Sequence, residues 1–341
     1  MWCVSLRGDR NAALVVTALV LVAAGCASGD ATTPTTDGAV VTTTLRTTLP
    51  PTSRPGATSP PGASSPPATP SAATPRLTPD PVRTVLDVDG LERTYVLYVP
   101  ESLPNDRLVA LVVDLHGLGS DAAGHEATSH FAAKAASEGF VVAQPEARGD
   151  VPTWNPQPGA EGAMLDVAFL RALVADVGTK VELDPGRIYL SGFSNGGGMA
   201  HRFACDAADV VAAIGTVSGQ YAANDSCQPS QPVAIISFHG TADLVVGYGG
   251  FGDALPPIPS WAEGWAARNA CAPVPERQRI AEDVLWDRWT DCSGNVQVVL
   301  HTIEGGAHAW PGSDRPGFFA PTQSIDATDL MWEFFEAHVR G

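Results

Sequence analysis

The chain has 341 residues, 44% of them hydrophobic, and a formal net charge of −17. The apolar content suits a globular protein and is too low for one with many membrane spans. Residues 1–80 hold five Arg and four Asp, which leaves 15 basic against 33 acidic groups in the remainder; a domain that acidic repels phosphate backbones, so nucleic acid is excluded as a partner.

The first segment reads as an address. Arg7 and Arg10 precede an apolar run from Ala12 to Ala24, broken only by Thr17. Thirteen residues are too few for a bilayer, which needs about 20, so the pattern is that of a signal peptide over residues 1–26. Its end, Ala23-Ala24-Gly25-Cys26, resembles a bacterial lipobox. Lipidated Cys26 would anchor the chain to the outer face of the cell membrane; cleavage near Ala27 would release it. The expected location is extracellular in either case, with the membrane a partner only through the lipid.

Residues 27–80 form a linker. Thr, Ser and Pro fill 30 of the 50 positions 31–80. Such a segment cannot bury enough apolar area to offset its ordering entropy, and Pro-rich chains act as semi-rigid spacers. It reads as a disordered stalk.

Residues 81–341 read as one catalytic-sized domain. Thr84–Val88 and Thr94–Val99 flank the turn dipeptide Asp89-Gly90 and predict a hairpin. Apolar runs at 108–113, 140–143, 212–217 and 233–238 predict strands buried on both faces. Further strands are expected at 187–191 and 296–303. Helices are expected at 164–177, 195–204, 260–270 and 327–339. Strands alternating with helices mean an α/β fold with a mostly parallel sheet. Ligands in such sheets bind at the carboxyl ends of strands.

The motifs fall there. Gly192-Phe193-Ser194-Asn195-Gly196 is G-x-S-x-G between a predicted strand and helix, the turn that exposes a nucleophilic serine. A serine needs an adjacent base, and in this fold the order is Ser, acid, His. His308, in a Gly-rich loop after a strand, is the expected base; His301 and His338 fall inside elements and read as structural. Asp243 follows the strand at 233–238 and is the expected acid. Asp253, Asp283, Asp287 and Asp291 read as surface residues, and His239 as structural. The oxyanion hole would take the N–H of Asn195 and one from Asp114-Leu115-His116-Gly117-Leu118-Gly119, with Leu118 chosen and Gly117 as the fallback. Trp154 and Trp310 are candidates to line the substrate pocket; Trp261 and Trp265, four apart on a helix, read as core.

Ser-Gly-Phe-Ser-Asn-Gly-Gly-Gly-Met-Ala (191–200), His-Gly-Thr-Ala-Asp (239–243) and Gly-Gly-Ala-His-Ala-Trp-Pro-Gly (305–312) resemble the polyhydroxybutyrate depolymerase/feruloyl esterase family, in particular its actinobacterial lipoprotein branch. The resemblance runs from about Thr94 to the C-terminus. It implies an α/β-hydrolase fold and a serine esterase that cleaves hydroxyalkanoate or feruloyl and other acyl esters without a cofactor, through Ser194, Asp243 and His308. Relatives often carry Pro where this chain has Leu244, and Gly and Thr where it has Ala307 and Ala309.

Beyond Cys3 and Cys26, four cysteines remain. In an exported domain they suggest two disulfides, with three pairings open. Sequential pairing, Cys205 with Cys227 and Cys271 with Cys292, closes two short loops and is the expected one. No cluster has metal-ligand spacing and no Gly-rich phosphate motif is present. A monomer acting on small or oligomeric esters, rather than on solid polymer, is expected. Two other functions share these residues: an acyltransferase of the cell envelope on the same triad, and a catalytically silent binding protein.

Overall fold

The computed structural model describes residues 81–341, except 105, 159–161, 220, 222–225, 253 and 316–318. The signal peptide, Cys26 and the linker lie outside the described residues.

The expected hairpin opens the domain as β1 (Val82–Val88) and β2 (Leu91–Tyr98), turning on Asp89 and Gly90, both at positive φ. Then follow β3 (Val109–Leu115), α1 (Ala122–Ser129), α2 (Phe131–Glu138), β4 (Val141–Pro145), α3 (Ala163–Gly178), β5 (Leu183–Phe193), α4 (Asn195–Asp206), β6 (Ala213–Val217) and β7 (Ala234–Gly240). The chain ends with α5 (Ile258–Arg268), β8 (Glu276–Ala281), β9 (Val284–Trp289), β10 (Val298–Ile303) and α6 (Ala327–Ala337). The strands form one sheet in the order β1-β2-β4-β3-β5-β6-β7-β10-β9-β8. From β4 to β10 all pairings are parallel; the edge pairings are antiparallel.

The parallel strands are buried on both faces, and their side chains alternate between two cores, as a pleated strand requires. In β3, Leu111, Val113 and Leu115 face a core completed by Phe169 and Leu170 of α3, Phe203 of α4 and Trp265 of α5. Val112 faces the other, completed by Phe131 of α2 and by Met331 and Phe335 of α6. There Tyr189 stacks on Phe335 at 4.8 Å and Phe140 on Trp332 at 3.8 Å between ring centroids. The first of these cores also holds Trp261 and Trp265, whose indole N–H groups both point at Nδ1 of His201. Helices thus cover both faces of a mostly parallel sheet.

Three features depart from the sequence reading. Helices α1 and α2 are too short and too rich in Ala, Gly and Ser to show an apolar stripe. Their boundaries come from Asp121, whose side chain accepts the Gly124 N–H, and from His130 in the left-handed region. The β8–β9 hairpin is the second omission, since β8 is exposed and polar. It corrects the placement of Asp287, which is buried on β9 and held by Arg277 at 2.6 and 2.8 Å.

Disulfides join Cys205 to Cys227 and Cys271 to Cys292. No helix among the described residues is long and apolar enough to cross a membrane.

Candidate active site

Ser194 sits between β5 and α4 with φ 54° and ψ −117°, a conformation that L-residues rarely adopt. The glycines around it permit the turn. A Cβ on Gly192 would lie 2.5 Å from the Gly196 backbone, and one on Gly196 only 2.3 Å from the Leu115 carbonyl. The strain has a chemical result. A serine preceding a helix ordinarily folds its hydroxyl back onto the first turn, but Ser194 makes no such cap. Its Oγ takes no hydrogen bond among the described residues and stands at the positive end of α4.

Asp243 and His308 are carried by the turns that leave β7 and β10, adjacent parallel strands. Nδ1–H of His308 donates to Asp243 Oδ2 at 2.8 Å. A carboxylate can only accept, so Nδ1 carries the proton and Nε2 is left with its lone pair. The other Asp243 oxygen accepts the Val245 and Val246 N–H groups, both at 2.8 Å. Burial works against the Asp243 charge, yet hydrogen bonding from His239, His308 and the Val246 N–H outweighs it and holds the carboxyl well below its usual range. His239 supports this loop: its Nε2–H reaches Val246 O at 2.8 Å and lies 3.4 Å from Asp243 Oδ2. Its Nδ1 is buried without a partner among the described residues.

The two turns touch backbone to backbone. A Cβ on Gly240 would stand 2.1 Å from Gly306 O. Ala242 N–H donates to that carbonyl at 2.8 Å, and Gly305 N–H to Thr241 Oγ1 at 2.8 Å.

Ser194, His308, Gly117, Leu118 and Trp310 line one cavity of about 500 Å³. The Gly117–Leu118 peptide is oriented by His116, whose Nδ1–H donates to Gly117 O at 2.7 Å. Ser120 N–H donates to the same carbonyl at 3.2 Å. In a trans peptide the N–H points opposite to the C=O, so the Leu118 N–H faces away from both donors. Asn195 is the first residue of α4, where a backbone N–H has no partner within the helix.

Trp154 is a correction: it does not line the cavity. It is 1% exposed, and its indole N–H is held by His116 O at 3.0 Å. Its backbone is clamped by Asn195, whose side chain accepts the Trp154 N–H and donates to the Trp154 carbonyl. Behind it, Asp166 takes two hydrogen bonds from Asn155 and pairs with buried Arg93 at 2.9 Å. Trp154 therefore braces the Ser194 turn against the Gly117 turn. Trp310 does border the cavity, with its N–H spent on Thr328 Oγ1. His301 stacks on Phe238 within the sheet, its pKa lowered to about 4 by burial, and His338 bonds Phe334 O at the end of α6.

Residues the sequence reading left without a role at this cavity include Phe193, His116 as a side chain, and His125. Phe193 could have been suspected from its place beside Ser194. His125 could not, since α1 was itself not legible.

The sheet order and the strained serine turn after a parallel strand define an α/β-hydrolase. The model of the family described as "Esterase PHB depolymerase" matches residues 93–235, ending before Asp243 and His308. "Putative esterase NocK" of Nocardia uniformis subsp. tsuyamanensis is 31% identical over 285 residues, covering 72% of this chain and 82% of that protein. The chain belongs to the esterase PHB depolymerase family. "Feruloyl esterase B" of Piromyces equi is 32% identical over 231 residues, covering 64% of this chain; the chain spans only 42% of that relative's length. Among solved structures, an acetyl xylan esterase from Aspergillus awamori shares the fold, with a TM-score of 0.55 at 17% identity over 72% of this chain and 94% of that one.

Proposed function

We propose that the protein is an exported serine hydrolase of carboxylic esters that works through an acyl-enzyme. The observation that carries this reading is that Ser194, on a strained turn, and His308, whose Nδ1 is held by buried Asp243, line one cavity.

Ser194 Oγ attacks the ester carbonyl as its proton passes to His308 Nε2. The carbonyl oxygen gains negative charge, which the N–H groups of Leu118 and Asn195 stabilise. Asp243 steadies the imidazolium without taking its proton. The tetrahedral intermediate collapses, His308 gives the proton to the departing alcohol, and the acyl group remains on Ser194. Water then attacks the acyl-enzyme with His308 again as base. The acid leaves and the proton returns to Ser194 Oγ. One ester and one water become one acid and one alcohol, and no cofactor enters.

The relatives' names include feruloyl esterase, and the apolar wall of Phe193 and Trp310 supports an acyl group with an aromatic or hydroxylated body as the natural one. Two disulfides fit an oxidising compartment, and lipidation at Cys26 remains part of the reading. The test is covalent labelling by a fluorophosphonate together with a panel of p-nitrophenyl, feruloyl and 3-hydroxybutyrate esters. Labelling of the native chain but not of Ser194→Ala is expected; equal labelling of both would sink the assignment.

A further inference from the structure

A second carboxylate–imidazole pair stands at the same cavity, and the mechanism does not use it. Asp114, at the carboxyl end of β3, is fully buried, and its Oδ1 lies 2.9 Å from His125 Nε2. Its Oδ2 accepts from Ser129 Oγ at 2.7 Å and from Gln144 Nε2 at 3.0 Å. Burial opposes the Asp114 charge, but His125, Ser129 and Gln144 more than offset it and hold the carboxyl below its usual range. A charged Asp114 accepts the Nε2–H, so neutral His125 keeps a lone pair on Nδ1. No hydrogen bond among the described residues uses that Nδ1, while His125 lines the cavity.

Position sets what the ring can do. Phe193 lies 4.8 Å from His308 between ring centroids, Trp310 lies 6.3 Å from Phe193, and His125 lies 5.6 Å from Trp310. Phe193 and Trp310 thus link the ring of His308 to that of His125 through a run of ring contacts along the cavity. His125 is well placed to meet the far end of an acyl group laid along Phe193 and Trp310. A buried carboxylate held by hydrogen bonds is costly to keep for stability alone. A fixed acceptor at the end of an apolar slot is how sites select a hydroxyl.

We propose that His125, oriented by Asp114, is a specificity residue that accepts a hydrogen bond from a hydroxyl at the distal end of the substrate's acyl group. This rests on the ester-hydrolase reading for its meaning, but its test does not need turnover. In the Ser194→Ala background, binding of 4-hydroxycinnamate, 4-methoxycinnamate and cinnamate is measured by calorimetry. Only the first can donate a hydrogen bond from its ring substituent. It should bind about 2- to 10-fold more tightly than the other two, the range of one neutral hydrogen bond. His125→Phe should erase that preference.

His125→Phe leaves Asp114 short of a partner and could misfold, so Asp114→Asn provides a second arm. Ser129 and Gln144 both donate to the Oδ2 side, so they keep the amide oxygen there and turn its NH2 toward His125. The Nδ1 of His125 then becomes a donor, and 4-methoxycinnamate should gain on 4-hydroxycinnamate until the two bind alike. A purely structural role for the pair predicts no such change in ratio.

Equal binding of the three acids, or a hydroxyl preference that survives both substitutions, would overturn the proposal. Hydrolysis of the methyl esters of the same acids by the native chain separates the two readings. Preference in binding without hydrolysis of any ester supports the His125 site and removes the esterase reading. Hydrolysis of all three esters at equal kcat/KM overturns the His125 site and leaves the esterase reading standing.

Discussion

His116 donates its Nδ1–H to the carbonyl of the residue that follows it, Gly117, at 2.7 Å, while its Nε2 accepts the Ala147 N–H at 3.0 Å. The ring is fully buried, and burial lowers its pKa. It is therefore a neutral wedge that locks one peptide plane, the one whose N–H is offered to the oxyanion.

The first prediction tests that lock. His116→Phe keeps the volume but removes the shorter of the two hydrogen bonds to the Gly117 carbonyl, leaving that from the Ser120 N–H. Losing one oxyanion donor costs roughly 10²–10³ in turnover, so kcat on a soluble ester should fall by about that much with KM little changed. A variant that folds with normal thermal stability and keeps near-native kcat would show that the Gly117–Leu118 peptide needs no such lock.

Asp243→Asn should lower kcat by about 10⁴ through the wrong imidazole tautomer. The same carboxyl carries a pH signature. Its folded pKa lies below the unfolded value of about 3.9. Its contribution to stability is therefore complete above that unfolded value and is lost as pH falls below it. Acid unfolding followed by circular dichroism should show a shallower loss for Asp243→Asn than for the native chain.

Glu126 behaves in the opposite sense. Burial pushes its pKa up to about 8, with Asp114 adding repulsion, although the Ala132 N–H and Gln144 partly oppose the rise. The folded chain thus holds a proton that the unfolded chain releases near pH 4.3. Stability should decline as pH rises from about 4.3 to 8. Replacing Glu126 by Gln should flatten that slope, and the difference in Tm between the two proteins should widen toward pH 8. A constant difference across that window would count against it.

The disulfides close loops of 22 and 21 residues. Each is worth roughly 3 kcal/mol in the loop-entropy account. Paired Cys→Ala substitution at 205 and 227 should lower denaturant stability by about that amount and leave fluorophosphonate labelling of Ser194 intact. Mass mapping of the non-reduced chain should recover both pairs.

Legibility in the sequence followed the physics of each element. Buried parallel strands are continuous apolar runs, and the runs before Asp114, Ser194 and Asp243 were readable for that reason. Glycine spacing marked the Ser194 turn because backbone crowding at Gly192 and Gly196 leaves no choice of residue. Trp154 was misread because a tryptophan after a strand looks the same whether its ring lines a cavity or braces a loop. Its hydrogen bonds to His116 and Asn195 decide that, and they are tertiary. The His125–Asp114 pair was invisible for a similar reason. It joins a helix without an apolar stripe to a strand whose pattern already seemed explained.

The contact between Gly240 and Gly306 bears on how this scaffold can be altered. With backbone pressed on backbone, the turns bearing Asp243 and His308 form one interchangeable unit in the sense of protein engineering: they can be transplanted or redesigned only together. The wall that α1 adds to the cavity, with Gly124, His125 and Thr128, lies on a separate element from those two turns. A library confined to that wall, with residues 239–243 and 304–308 held constant, is the economical route to new acyl preferences in this chain.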